Sequence, residues 1–296
     1  MTTVVVTHNS AAHIGDLLDS LPAAFGGVPH TVVVVDNGST DATVALVEKR
    51  GGITLVRSQN TGFAAGVNNG VAAAPKEAGP ILVLNPDAVA SPQSVPAMLA
   101  VLGQDRAGIV APLMREADGS LSPSIRRAPT LLRAGGLSFT GRPVFAERVE
   151  DPAAYATETD VDWAVGAAML IARECYDGLG GFDESFFLYS EETDFCLRAH
   201  DHRWRTVFTP AAEIMHIGGG SGESAKTHSM KMVNRVRLYA RRHGTLASGC
   251  YLAVASLTEL RRGMLGHAAS WTALRALLSP RHRPAELGAS GSLIPR

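Results

Sequence analysis

The sequence predicts an α/β protein: a Rossmann-like half-sheet, a second α/β half, and a basic helical tail. Two observations carry this. Short β-branched runs at 4–6, 31–35, 53–57 and 81–84 lack polar alternation, as expected of parallel strands buried on both faces. Segments of helical spacing separate them, giving the β-α-β-α-β rhythm of a nucleotide-binding half-sheet.

Taken in order, a strand over 2–7 precedes a helix over 11–21, where Leu17, Leu18 and Leu21 fall at helical spacing. After the strand at 31–35, Ser39-Thr40-Asp41 supplies an N-cap for a helix over 42–49. A strand at 53–57, a helix at 66–74 and a strand at 81–84 complete the first half. Beyond Asp87 the pattern predicts a helix over 91–102, strands over 109–115 and 161–171, helices over 173–179 and 192–199, and a short strand at 206–208. The expected domains are 1–225, divided into halves at 1–90 and 91–225, and a tail at 226–296 whose Pro- and Gly-containing end is expected to be disordered.

With 46% hydrophobic and 19% charged residues, the chain has ample material for a core and is not a disordered polymer. The net charge of −1 hides an asymmetry. From Lys226 onward there are 12 Lys and Arg against 2 Asp and Glu, so an acidic body carries a basic tail suited to an anionic surface or lipid. Cys175, Cys196 and Cys250 lie far apart without a CxxC pair, which argues against a zinc site or disulfide framework and fits a reducing cytoplasm. The N-terminus runs into a strand with no charged leader. The apolar stretch at 246–257 falls short of the roughly 20 residues a membrane span requires.

The chemistry-bearing residues gather at strand ends, where open α/β sheets bind ligands. Thr7-His8-Asn9-Ser10 and Asp36-Asn37-Gly38-Ser39 follow the first two strands; Asp36 there is either an acceptor for a ribose or base donor or part of a tight turn. Gly62, Gly66 and Gly70 recur every four residues and so share one helical face, permitting close backbone approach. Asn85-Pro86-Asp87 follows the fourth strand and offers a carboxylate for a cation that neutralises a diphosphate, or else a turn cap. The acids Asp183, Glu184, Glu191, Glu192 and Asp194 sit beside an aromatic run, either as a solvated helix start or as the apolar setting that raises a general base's pKa. Glu191 and Glu192 are adjacent and point about 100° apart on a helix, so one of them faces a given ligand. His216 precedes Gly218-Gly219-Gly220, a hinge able to carry it toward a metal or diphosphate.

The order of these motifs carries more than each alone. Val-Thr-His-Asn-Ser (6–10), Val-Asp-Asn-Gly-Ser-Thr-Asp (35–41), Asn60 with Gly62-Phe63-Ala64-Ala65-Gly66-Val67-Asn68, and Leu84-Asn-Pro-Asp87 come first. Trp163 with Gly166, Gly-Gly-Phe-Asp-Glu (180–184), Phe-Leu-Tyr-Ser-Glu-Glu-Thr-Asp (187–194) and His216 follow. In this series the chain resembles glycosyltransferase family 2, of the inverting GT-A fold, over about 2–244 and, within it, bacterial rhamnosyltransferases of cell-wall and O-antigen assembly. Pro112-Leu-Met-Arg115, Asp118-Gly-Ser120 and Pro123-Ser-Ile-Arg126 resemble the same branch.

The resemblance implies a nucleotide-sugar donor, with dTDP-rhamnose foremost, and a carbohydrate acceptor such as a polyprenyl-diphosphate-linked sugar. It implies Thr7, Asn9, Asp36 and Asn60 on the nucleoside, with Asn68 and Asn85 completing the nucleotide side. Asp87 and His216 would hold Mg²⁺ or Mn²⁺ and the diphosphate. Glu192 would be the catalytic base, with Glu191 and Asp194 as alternates, and Trp163, Gly166 and Asp183 would face the acceptor. Two departures stand out: Glu192 fills a slot usually held by Asp, and Asn85 one that is Asp in many members. Arg126, Arg127 and Arg133 either meet an acceptor diphosphate or form a solvated basic face. The expected setting is cytoplasmic, peripheral on the inner face of the plasma membrane through the basic tail, with no nucleic-acid partner and a homodimer left open. Two other readings compete: a sugar nucleotidyltransferase, which wants a Gly-rich triphosphate loop that Thr7-His8-Asn9-Ser10 does not supply, and a catalytically inactive sugar-nucleotide sensor. Transfer of another sugar to a soluble acceptor is the alternative within the same chemistry.

Overall fold

A computed structural model describes residues 1–75, 79–217 and 224–294. Strands β1 (Thr2–Thr7), β2 (Thr31–Asn37), β3 (Ile53–Ser58) and β4 (Ile81–Leu84) lie parallel in the order β3-β2-β1-β4. Helices α1 (Ile14–Phe25), α2 (Thr43–Glu48) and α3 (Phe63–Ala73) connect them. Side chains alternate across a strand, so Val5 packs with Ile14, Leu17 and Leu21 of α1, whereas Val4 and Val6 pack with Ala64, Val67 and Val71 of α3. This two-sided burial is why these strands read as unbroken apolar runs.

The two halves share one nine-stranded sheet. β5 (Ala88–Ala90) ends the first half, and the second adds α4 (Ser94–Leu102), β6 (Ala107–Arg115), β10 (Ala168–Ile171) and β11 (Arg205–His216). β10 lies antiparallel between β4 and β6, β11 runs parallel to β6, and β5 closes the edge antiparallel to β11.

Two strand assignments change. The single strand expected over 161–171 is two pieces, β9 (Trp163–Ala164) and β10, because the chain turns through Gly166 between them, and the short β8 (Thr159–Asp160) precedes both. β9 pairs with β7 (Ile125–Arg126) in a separate ribbon. The short strand expected at 206–208 extends to His216; its register slips between Thr209 and Glu213, so Pro210, which has no N–H, sits outside the ladder.

Helices α6 (Arg173–Leu179) and α7 (Glu191–Asp201) follow β10, and α8 (Ala225–Arg242), α9 (Thr245–Met264) and α10 (Ala268–Leu278) form the C-terminal unit. The basic segment expected to be helical over 226–296 is helical and is packed against the body. Met230, Val233, Val236, Tyr239, Tyr251 and Ala273 form a core against which Phe187, Leu188 and Tyr189 pack, and Tyr239 stacks on Tyr251 at 4.0 Å. The end expected to be disordered is ordered through Ile294, with Leu287 and Leu293 buried in that core. Part of the tail's positive charge is tied to the body: Arg241 pairs with Asp183 at 2.5 Å, Arg242 with Asp201 at 2.7 Å and Arg235 with Glu147, while Lys226 pairs within the tail with Glu286.

Candidate active site

The carboxyl ends of β1 and β2 meet in register, Thr7 beside Asp36. The Thr7 hydroxyl donates to Asp36 Oδ1 at 3.0 Å and the Ser39 amide to Oδ2 at 2.9 Å, which fixes the buried carboxylate at the crevice floor. Asn9 takes a left-handed conformation (φ 54°) and its side-chain oxygen accepts the Thr40 amide at 2.8 Å, lacing the two turns together. Asn60 Oδ1 accepts the Gly62 amide at 3.2 Å and so shapes the start of α3. Asn37 was not among the expected residues; it is buried, donating to Gly62 O at 2.9 Å and accepting from Ser58 Oγ at 2.9 Å, which ties β2, β3 and α3 at the same edge.

Asn68 departs from the nucleotide-side expectation. Its oxygen accepts from the Tyr176 hydroxyl (2.7 Å) and the Phe182 amide (3.0 Å), and its NH₂ donates to Phe182 O (2.9 Å), so its polar capacity anchors the 181–184 turn. The glycine face of α3 is likewise used in packing. A methyl at Gly66 would lie 2.7 Å from Val6 Cγ1, and one at Gly70 would run into Val4.

Asp87 stands between β4 and β5, and the long β11 brings His216 opposite Ala88. His216 Nε2 lies 3.2 Å from Asp87 Oδ1, within ion-pair range, yet it is buried and makes no hydrogen bond. Burial pushes the Asp87 carboxyl up, but contact with His216 and its charge outweigh this and hold it below the usual range. Asp87 in turn raises the His216 imidazole against the opposing effect of burial. The glycine run after His216 lies outside the described residues.

Beside this pair opens a cavity of about 620 Å³ lined by Asn85, Trp163, Gly166, Glu191, Glu192 and His216. Tyr189 and Ser190 adopt positive φ (68° and 77°), a sharp turn that aims the first residues of α7 inward. Gly166 leaves room for Glu192, since a methyl there would lie 3.3 Å from its Cβ. Burial raises the Glu192 carboxyl, and the charge of Arg126 pulls it partly back. Glu191 is 3% exposed with Oε2 unpartnered, and it is pushed well above the usual range by burial and then by Glu192. Arg126 stacks over Trp163 at 5.8 Å, and the indole donates to Arg127 O at 3.0 Å.

Two expected residues have other partners. Asp194 pairs with Arg198 at 2.6 Å one helical turn on, and Asp183 accepts the Ser185 amide and pairs with Arg241 of α8. The cavity wall also includes Arg148, Lys231, Arg235 and Leu238. Three of these belong to α8, so the boundary drawn at 225/226 runs through the site. Lys231 and Arg235 share a helix face at four-residue spacing, the one local signal that pointed to them.

The sequence matches the family described as glycosyltransferase like family 2 over residues 1–245. This chain belongs to glycosyltransferase family 2. It is 32% identical over 232 residues to the N-acetylglucosaminyl-diphospho-decaprenol L-rhamnosyltransferase of Mycobacterium tuberculosis, covering 73% of this chain and 75% of that one. It is 25% identical over 250 residues to rhamnosyltransferase WbbL of Escherichia coli, covering 81% and 92%. The fold resembles GalNAc-T7 solved with UDP, GalNAc and Mn²⁺ (TM-score 0.60, 17% identity, 80% of this chain and 47% of that one). It also resembles the Pyrobaculum calidifontis mannosyltransferase PcManGT with GDP-Man and Mn²⁺ (TM-score 0.56, 20% identity, 98% and 85%). The family 2 transferase thus has the GT-A fold, and the cavity that holds Glu191 and Glu192 lies on the side of the sheet to which the parallel strands point.

Proposed function

We propose that this transferase moves L-rhamnose, from dTDP-rhamnose, onto a polyprenyl-diphosphate-linked sugar, with inversion at the anomeric carbon. The observation that carries the proposal is the convergence of Glu192 with the Asp87–His216 pair at one cavity, in a chain similar to rhamnosyltransferases. Thr7, Asn9, Asp36, Asn60 and Asn85 are assigned to the nucleotide. Trp163 and Gly166 are assigned to the acceptor, stacked on or seated against a sugar face.

In this mechanism Glu192 accepts the proton of the acceptor hydroxyl. That oxygen bonds to the anomeric carbon from the face opposite the departing nucleoside diphosphate. A single base with no second carboxylate as nucleophile gives inversion. Asp87 and His216 fit a divalent cation: a carboxylate and a buried imidazole nitrogen without a hydrogen bond converge to 3.2 Å, a mixed O/N donor set that suits Mn²⁺ or Mg²⁺. Such an ion, when held there, supplies positive charge against the diphosphate. His216 and Asp87 would orient that diphosphate, and Arg126 steadies Glu192 in its ionised form.

The test is nucleoside diphosphate release from dTDP-rhamnose with a lipid-linked N-acetylglucosamine acceptor, with and without chelator, in wild type and Asp87→Ala. The expected outcome is release by the wild type that chelation abolishes, and none by Asp87→Ala. Full activity of the chelated wild type would remove the metal from the proposal. Release from UDP or GDP sugars alone would change the donor, and no release from any donor would favour a sensor. The working place follows as the cytoplasmic face of the membrane that carries the lipid-linked acceptor; no helix among the described residues is long and apolar enough to cross it.

A further inference from the structure

Large apolar side chains are left in solvent at the start of α9 (Leu246), on α10 (Trp271 and Leu278) and, in the largest group, on the 131–145 segment and the far end of α9. Among the described residues, none of those exposed precedes Leu132. Leu132, Phe139 and Val144 stand out from the segment at 131–145, at 53%, 73% and 48% exposure, and Leu257, Met264 and Leu265 from the second half of α9, at 64%, 73% and 69%. The two groups form one surface. Thr258 donates to Ala134 O at 3.0 Å, Arg261 donates to Gly136 O at 2.8 Å, and the Arg261 guanidinium lies 5.7 Å from the Phe139 ring centre.

The charge around this surface is mostly positive, with the Asp162 carboxylate at its rim on the Ala128 amide. Between Asp118 and Glu147 the sequence contains no acid and holds Arg126, Arg127, Arg133 and Arg142, and α9 adds Arg261 and Arg262. The acid of α9, Glu259, is buried against His228 at 2.7 Å. The surface is also continuous with the cavity, whose wall includes Arg126 and Pro129 immediately before Thr130 caps the next helix.

We propose that the 131–145 segment and the C-terminal half of α9 are where the protein sits on an anionic lipid bilayer. Apolar side chains flanked by arginines, with the Asp162 carboxylate at the rim hydrogen-bonded within residues 126–130, match an interface in which hydrocarbon lies beneath phosphate. A second copy of this chain is the poorer occupant, because a two-fold contact would set the arginines of 131–145 and α9 against one another, and neither segment offers an exposed carboxylate. The proposal rests on the lipid-linked acceptor of the preceding section and adds where the lipid is met: at the rim of the cavity through residues 126–130, rather than along α8, whose arginines are tied to the body.

The experiment uses the full chain and vesicles of phosphatidylglycerol with phosphatidylcholine, or of phosphatidylcholine alone, read by co-sedimentation. Sedimentation velocity, thermal melting and nucleoside diphosphate release with a soluble acceptor are run in parallel. Wild type should bind the anionic vesicles and bind them less well at high salt. Phe139→Ser with Leu265→Ser, and separately Arg142→Glu on an exposed turn, should each weaken vesicle binding by about tenfold or more. Melting and release on the soluble acceptor should stay unchanged. Wild-type protein that ignores anionic vesicles, or both variants binding like wild type, overturns the proposal. So does a wild-type dimer that Phe139→Ser with Leu265→Ser converts to monomer while vesicle binding stays the same. If no variant or donor gives release yet vesicle binding follows the predicted losses, the function fails and the docking surface stands.

Discussion

Glu191 and Glu192 open α7 from the same cavity wall, and their environments set different tests. Glu192→Gln keeps shape and reach but cannot accept a proton, so turnover should fall by about a hundredfold or more with donor affinity nearly unchanged. Steady-state kinetics with a donor titration check this, and Glu191→Gln should matter less. Because burial raises the Glu192 carboxyl, the acid limb of kcat/KM should lie above the ordinary glutamate value of about 4.3. Activity appears as the pH rises through that raised value, since the ionised form is the base. Glu191 gives a stability prediction of the opposite kind. Its native pKa is raised above the unfolded one, so the native state is penalised at pH values above the unfolded pKa, and the penalty vanishes once both states are protonated. Glu191→Gln should therefore raise Tm near pH 7 to 8, and the gain should fade as pH falls toward about 4. A gain that grows on acidification would show the carboxylate to be stabilised in the fold. At this scale Asp36, Asp87 and the Glu pair were legible because their residue types sit at strand and helix ends. Asn37 and Arg148 were not, since nothing local separates a buried tie or a wall residue from an ordinary polar one.

Helix α3 shows how far an element can be read from spacing. Gly66 and Gly70 at four-residue intervals put bare backbone on one face, and that face lies against Val4 and Val6. Gly70→Ala gains helix propensity but must displace a branched β1 side chain; overpacking of this kind typically costs about 1–3 kcal/mol. Chemical denaturation should report that loss, whereas a stability equal to or above wild type would show that the sheet yields freely. β11 marks the limit of local reading. Pro210 ends the apparent strand at Phe208, yet the ladder with β6 resumes at Glu213 and reaches His216. Only partner strands on both sides make that resumption favourable, and without it His216 would not stand beside Asp87.

The whole molecule is more integrated than its charge pattern suggests. Excising everything after Gly244 removes α9 and α10 and bares Val236 and Tyr239 of α8, together with the surface on Phe187 and Leu188. A chain truncated there should lose cooperative unfolding or aggregate, rather than persist as a folded donor-binding body. Scanning calorimetry and size-exclusion chromatography give the check, and a truncated monomer melting within a few degrees of wild type would restore the separable tail.

By itself the sequence determined the parallel half-sheet, the strand-end placement of Thr7, Asp36 and Asp87, and the acidic start of α7, because period and turn chemistry are local and survive in one dimension. The tertiary structure alone decided that His216 meets Asp87 from 129 residues away, that α8 walls the cavity, and that Arg235, Arg241 and Arg242 of α8 are tied to carboxylates of the body. Charge composition says how many cations a segment carries; which of them reach solvent depends on carboxylates such as Glu147, Asp183 and Asp201, brought close only when the chain folds.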